Sequence, residues 1–360
     1  MGWPFVKRRM RAELGADWLS QFDTFQKEAS HAASLGQVHD ARLHDGRRVA
    51  CKLQYPDMSS AVESDVGQLK AMLGLFKRMD GSIDLTEMVD EVTDRLREEL
   101  DYGREAKHMA LYAGMLADKD FVQVPEPVPE FSTDRLLTMT WLDGERLDAF
   151  EGAAQDTRNH IAEMLFWTWW GPFNGHAVIH GDPHLGNYQV TGGGTGINLL
   201  DFGCIRVFPP TFVEGVVDLY RATLAEDFDA AYAAYEKWGF QNLSRELVEV
   251  LNIWARFIYG PLLDDRVRSV ADGVSAGEYG RKEAFQVRRL LKEKGPVKIP
   301  REFVFMDRAA IGLGAAYLRL KAEVNYHRLF EESLEGFDVK AVAMRQADAL
   351  KAAGLAWPED

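Results

Sequence analysis

The sequence predicts an α+β protein of two lobes, the first mixed and the second mainly helical. Three observations carry that expectation. Strand-like runs crowd into residues 23–141, helical periodicity dominates from about residue 145, and 360 residues with 46% hydrophobic content supply core for two bodies. Acidic residues outnumber basic ones, 56 to 42, for a formal charge of −14. A general nucleic-acid binder needs a basic footprint, so nucleic acid is not an expected partner. Two cysteines, Cys51 and Cys204, are too few for a disulfide framework or paired zinc motifs and fit a reducing compartment. A long uncharged, apolar stretch, Met164 to Ile179, is interrupted by Gly171, Pro172, Asn174 and Gly175. A spanning helix needs ~20 mostly apolar residues, so none is expected.

Taken in order, residues 3–22 read as short helices whose basic face (Lys7, Arg8, Arg9, Arg11) is solvated. Gln37–Leu43 and Arg47–Gln54 flank His44-Asp45-Gly46, and Asp-Gly between two strand-like runs predicts a hairpin. From Asp57 to about Met115 the pattern is helical, with a break at Asp80-Gly81-Ser82. Strand character returns in VPEPVPEF (124–131) and RLLTMTWL (135–142). Beyond it, two short apolar runs, HAVIHGD and INLLDFG, interrupt a helical remainder.

Those two runs carry the strongest chemical signal. His180-Gly181-Asp182, followed by Asn187, reproduces H-x-D-x-x-x-x-N, and Asp201-Phe202-Gly203 follows at short range. Phosphoryl transfer needs one carboxylate to accept or orient the nucleophile's proton. It also needs an amide oxygen and a second carboxylate to hold Mg²⁺ against the nucleotide phosphates. Asp182 is therefore the candidate base, and Asn187 and Asp201 the candidate metal ligands. Each motif alone is weak; their order and spacing give the pair its weight. A metal-hydrolase reading of His180, Asp182 and His184 fails because no further His/Asp/Glu cluster completes it.

Such chemistry also asks for a strand lysine paired with a helix glutamate. Val49-Ala50-Cys51-Lys52 supplies the lysine on the second hairpin strand, and alternation turns Cys51 toward the core. The acidic stretch from Glu98 to Ala106 supplies the partner. Asp101 and Glu105, four apart, read as a like-charge pair on one helix face that needs a cation to relieve it. Before the hairpin, Ala32-Ala33-Ser34-Leu35-Gly36 holds one glycine and by itself reads as a plain loop.

Together AASLGQVH, VACK, EELDYGREA and HGDPHLGN with LLDFG resemble the AarF/UbiB (ADCK-like) family of atypical kinases, over roughly residues 23–225. The resemblance implies a bilobal protein-kinase-like fold. It divides the chain into an N-terminal helical segment (1–22), read as a truncated family extension, an N-lobe (23–142), the catalytic part of the C-lobe (143–225) and a helical C-terminal extension (226–360). It implies ATP/ADP and Mg²⁺ as cofactors. Lys52 then pairs with Glu105 and meets the phosphates, Ala32, Ala33 and Ser34 cover them, and Met139, Trp141 and Leu142 lie in the adenine hinge. Glu99 and Asp101 form the family's E-x-D signature. The family's K-x-G-Q motif, whose lysine pairs with the E-x-D glutamate, does not occur here, and about 30 residues precede the alanine-rich loop. Glu99 is therefore expected to be solvated or recruited by another cation.

Gly181 stands where protein kinases carry an arginine, and no A-P-E follows D-F-G. Both absences favour a small or lipid-like substrate, or ATP hydrolysis, over protein phosphorylation in trans. The resemblance implies a role in ubiquinone or isoprenoid-lipid metabolism. Its partners would be a lipid or quinone precursor or a biosynthetic protein complex. The location would be the cytoplasm, with membrane contact at most peripheral, at the inner membrane. Two alternatives stay open: a small-molecule phosphotransferase of the aminoglycoside or choline kinase type, and a nucleotide-binding scaffold without turnover.

Overall fold

The computed structural model describes residues 1–33, 35–79, 93, 97–240, 243–271, 275, 278–294 and 300–357. The expected break at Asp80-Gly81-Ser82 lies outside the described residues. The chain forms two compact units. The first comprises Met1–Ala110, Pro125–Leu142 and Asp201–Cys204; the second comprises Leu111–Val124, Asp143–Leu200 and Ile205–Asp360.

The first unit opens with α1 (Trp3–Leu14), which has a proline in its first turn, where a missing N–H costs nothing. Strands β1 (Phe22–Phe25), β2 (His31–Ala33), β3 (Gly36–Leu43), β4 (Arg48–Gln54) and β6 (Leu136–Thr140) form a five-stranded antiparallel sheet. The hairpin between β3 and β4 turns where Asp-Gly predicts it, with Gly46 at φ +90°. Alternation then sorts β4. Val49, Cys51 and Leu53 pack with Val6 and Met10 of α1, Trp18, Phe22 and Leu136 in one buried cluster. Cys51 is thus a core residue, and burial pushes its thiol up to about 12. The even-numbered residues of β4, Lys52 among them, take the opposite face.

Two expectations are corrected here. The alanine-rich stretch is not a plain loop: β2 pairs with β3, placing Ala32 opposite Gln37 and Ala33 opposite Gly36. VPEPVPEF is not a strand. It holds a single bridge, Pro127 to Met139, and a 3₁₀ turn over Pro129–Phe131, because its three prolines donate no ladder hydrogen bonds. Helices α2 (Met58–Met79) and α3 (Tyr102–Met115) follow the sheet in the chain as the periodicity predicts.

The second unit holds the short strands β5 (Val122–Gln123), β7 (Glu145–Arg146), β8 (Val178–His180), β9 (Tyr188–Thr191), β10 (Gly196–Leu199) and β11 (Ile205–Val207). They form a four-stranded sheet, β5-β10-β9-β7, and a β8–β11 ribbon. Its helices are α4 (Gln155–His176), α5 (Pro210–Leu224), α6 (Phe228–Lys237), α7 (Arg245–Tyr259), α8 (Arg281–Lys294), α9 (Arg301–Leu320), α10 (Tyr326–Ser333) and α11 (Val339–Ala352). The uncharged stretch of the sequence runs through α4, where Leu165, Phe166, Trp169, Trp170 and Phe173 are all buried. A helix apolar around its circumference needs neighbours around it, and α9, α10 and α11 pack on it. Among the described residues no helix is long and apolar enough to cross a membrane.

Further along this unit, the Trp254 indole on α7 donates a hydrogen bond to Oδ2 of Asp307 on α9. The other oxygen, Oδ1, is closed to solvent and has no hydrogen-bond partner among the described residues. Burial pushes this carboxyl well above the usual range against the pull of the indole hydrogen bond.

Candidate active site

Lys52 reaches its partner because β4 and α3 present the two side chains to each other. Its Nζ lies 2.6 Å from Oε1 of Glu105 and 3.2 Å from Oδ2 of Asp201. Lys52 and Glu105 are buried, while the Asp201 side chain is 36% exposed. Burial opposes the ammonium charge. Asp201 and Glu105 together outweigh it and hold Lys52 above the ordinary lysine value. Burial likewise pulls the Glu105 carboxyl up while Lys52 pulls it down. The net direction for Glu105 is upward, with burial the larger effect. The Tyr102 ring centroid lies 5.3 Å from Nζ, a cation–π contact that helps keep the head group in place.

The turn at Asp201 is fixed as closely. Oδ1 of Asp201 accepts a hydrogen bond from the Gly203 N–H at 3.0 Å. Phe202 is wholly buried; its N–H points at Oε1 of Glu105 at 3.5 Å, and its carbonyl accepts from Nδ1 of His108 at 3.0 Å. His108 went unnoticed in sequence reasoning, although Glu105 and His108 at i, i+3 announce a shared helix face.

Asp101 and Glu105 are not a like-charge pair, which corrects the sequence reading. Asp101 precedes α3, and its carboxylate accepts from the Arg104 N–H at 2.8 Å as an N-terminal cap, leaving Glu105 to Lys52. Glu99 is half-buried and makes no hydrogen bond or ion pair with another described residue, whereas its neighbour Glu98 pairs with Arg104. On the Lys52 face, Met139 stands opposite Ala50 and is buried. Trp141, half-buried, lies under the Arg48 guanidinium at 4.4 Å and stacks on His31 at 6.1 Å. Leu142 is half-buried, Ala32 is exposed, and Ser34 lies outside the described residues.

In the second unit, β8 ends at His180 and the chain turns into a loop. The Asp182 N–H donates to Nδ1 of His180, and the Asn187 amide donates to the Asp182 carbonyl at 3.0 Å and carboxylate at 3.3 Å. Gly312 of α9 lets Pro183 seat against the helix; a β-carbon there would fall 2.6 Å from the proline ring. The Asn187 amide nitrogen is spent on Asp182, which leaves its carbonyl oxygen for a cation. Nδ1 of His184 accepts from the Gly186 N–H, so the two histidines of this loop serve its turns. No group of three or more His, Cys, Asp or Glu suited to hold a metal occurs among the described residues. Carboxylate and amide oxygens are hard donors of the kind that suits Mg²⁺ rather than zinc.

A five-stranded antiparallel sheet with a buried strand lysine held by a helix glutamate and a D-F-G aspartate defines a protein-kinase-like protein. Comparison with known proteins agrees. A solved structure, that of Rv3197 with erythromycin from Mycobacterium tuberculosis, superimposes with a TM-score of 0.72 at 25% identity, covering 94% of this chain and 84% of that one. The sequence matches the ABC1 atypical kinase-like domain over residues 1–235. The chain therefore belongs to that family, the AarF/UbiB atypical kinases. The mitochondrial atypical kinase COQ8 of Saccharomyces cerevisiae is 31% identical over 235 residues, 65% of this chain and 47% of that protein. The mitochondrial atypical kinase COQ8B of Rattus norvegicus is 28% identical over 332 residues, 92% of this chain and 62% of that protein. The chain thus spans about half to three-fifths of the length of these two relatives.

Proposed function

We propose that this atypical kinase binds ATP with Mg²⁺ and uses it for phosphoryl transfer or hydrolysis in support of ubiquinone or related isoprenoid-lipid metabolism. The observation that carries the reading is the buried Lys52, kept charged by Glu105 and Asp201 with one face of Asp201 still open. An ammonium held this way offers its charge to phosphate oxygens without first breaking a solvent shell. Asp201 and the Asn187 carbonyl would hold Mg²⁺, which when bound neutralises charge building on the phosphates. Asp182, oriented by Asn187, accepts or aligns the proton of the attacking hydroxyl or water. Met139, Trp141 and Leu142 flank the adenine, and Ala32, Ala33 and Ser34 approach the phosphates; Glu99 and Asp101 keep the family signature. The lipid assignment rests on the relatives named COQ8, and its substrate is a lipid or quinone precursor.

Titration with a fluorescent ADP analogue tests the reading. Wild type should bind at least about tenfold more tightly with Mg²⁺ than without it. Asp201→Asn should lose that binding, and Asp182→Asn should keep binding while losing ATP turnover about 100-fold or more. Metal-independent binding, or normal turnover in Asp182→Asn, overturns it. The relative solved with erythromycin favours a second reading, binding of a bulky small molecule. Erythromycin that alters ATP consumption by this chain would support it.

A further inference from the structure

The turn that carries Asp201 is held from an unexpected side. Oδ1 of Asp201 accepts from the Gly203 N–H, and Oδ2 faces the Lys52 ammonium. Between Asp201 and Gly203 sits Phe202, and α3 grips both of its backbone polar groups: Oε1 of Glu105 faces the N–H and Nδ1 of His108 meets the carbonyl. A carbonyl only accepts, so the proton of this bond sits on Nδ1. His108 is 3% exposed, and the bond to Phe202 is buried. Spaced three apart, Glu105 and His108 act as one clamp on one helix turn. Glu105 is shared with Lys52, and its contact with the Phe202 N–H is long at 3.5 Å. The 3.0 Å bond from His108 is the closer of the two.

We propose that His108 is a positioning residue for the divalent cation. By anchoring the Phe202 carbonyl it sets the direction of the neighbouring Asp201 carboxylate, so metal affinity depends on a side chain that never touches the metal. The inference rests on the Mg²⁺-nucleotide reading above. It adds that α3 governs Asp201 through two separate contacts, of which the Lys52–Glu105 pair supplies only one. Groups behind a metal ligand tune affinity about 10- to 100-fold when removed.

The test measures binding of a fluorescent ADP analogue as Mg²⁺ is varied, with metal-free binding measured beside it. Three variants separate geometry from bulk. His108→Leu removes the donor. His108→Gln keeps a polar group but places its amide one bond too far. His108→Asn places an amide nitrogen where Nδ1 stands. Leu and Gln should raise the half-saturating Mg²⁺ concentration about tenfold or more, with metal-free affinity within about twofold of wild type. Asn should return the metal dependence to within about threefold of wild type. If His108→Leu does not fold, the Gln and Asn pair still decides. Equal loss of metal-free and metal-dependent binding in the Gln variant, or no rescue by Asn, overturns the role of His108. Absence of metal dependence in wild type instead overturns the nucleotide reading on which the inference stands.

Discussion

Glu105 and Asp307 are both helix carboxylates with an oxygen shut away from water, and the protein treats them in opposite ways. Glu105 faces an ammonium at 2.6 Å and a backbone N–H beyond it. Asp307 receives one indole hydrogen bond and has a second oxygen with none among the described residues. Burial raises both carboxyls, but only Glu105 has a cation pulling the other way. A buried acid by itself therefore does not mark the chemistry. The partner that preserves its charge does, because a charge without one neutralises instead.

The sharpest way to break the contrast is to take away the cation. Lys52→Met should abolish nucleotide binding and destabilise the fold by about 3–5 kcal/mol at neutral pH, the usual cost of stranding one member of a buried pair. Urea denaturation should show that cost shrinking as pH falls, because Glu105 can then take a proton. An undiminished cost at acid pH would mean that lost packing, rather than stranded charge, is responsible.

Next in size is the indole. Trp254→Phe removes the indole donor to Asp307 and should cost about 1–3 kcal/mol, with nucleotide binding unchanged. Altered binding would show that Asp307 belongs to the chemistry after all.

The smallest effect concerns pH. A carboxyl raised on folding keeps its proton in the native state while the unfolded chain loses it. Its stabilising contribution is thus complete below the ordinary aspartate value and is lost as pH rises toward the raised one. Stability measured across that window should fall more steeply with pH in wild type than in Asp307→Asn. Parallel curves would show that Asp307 is not raised.

Much of this was legible in the sequence. Asp45-Gly46 fixes the hairpin and alternation then assigns Cys51 to the core and Lys52 to the other face, since both follow from local rules. The D-F-G turn and the loop from His180 to Asn187 are equally local. The strands β5, β7, β9 and β11 escaped notice because two to four residues hold too little alternation to register, and VPEPVPEF misled because its valines outweighed its prolines. The capping by Asp101 was missed because the helix start falls one residue later than its acidic run suggests. His108 and Asp307 depend on contacts with distant segments, Phe202 and Trp254, which no periodicity encodes.

The short segment Asp201–Cys204 counts by its contacts with the first unit although its neighbours in sequence belong to the second. Anyone dissecting the protein by truncation will meet the consequence. A fragment ending at Leu142 would retain all five strands of the first sheet, yet it would lack one of the two carboxylates on Lys52 and the Phe202 backbone that Glu105 and His108 meet. Such a piece would be a damaged body rather than a minimal one. Grafting or shuffling the first unit of this chain means carrying these four residues along with it.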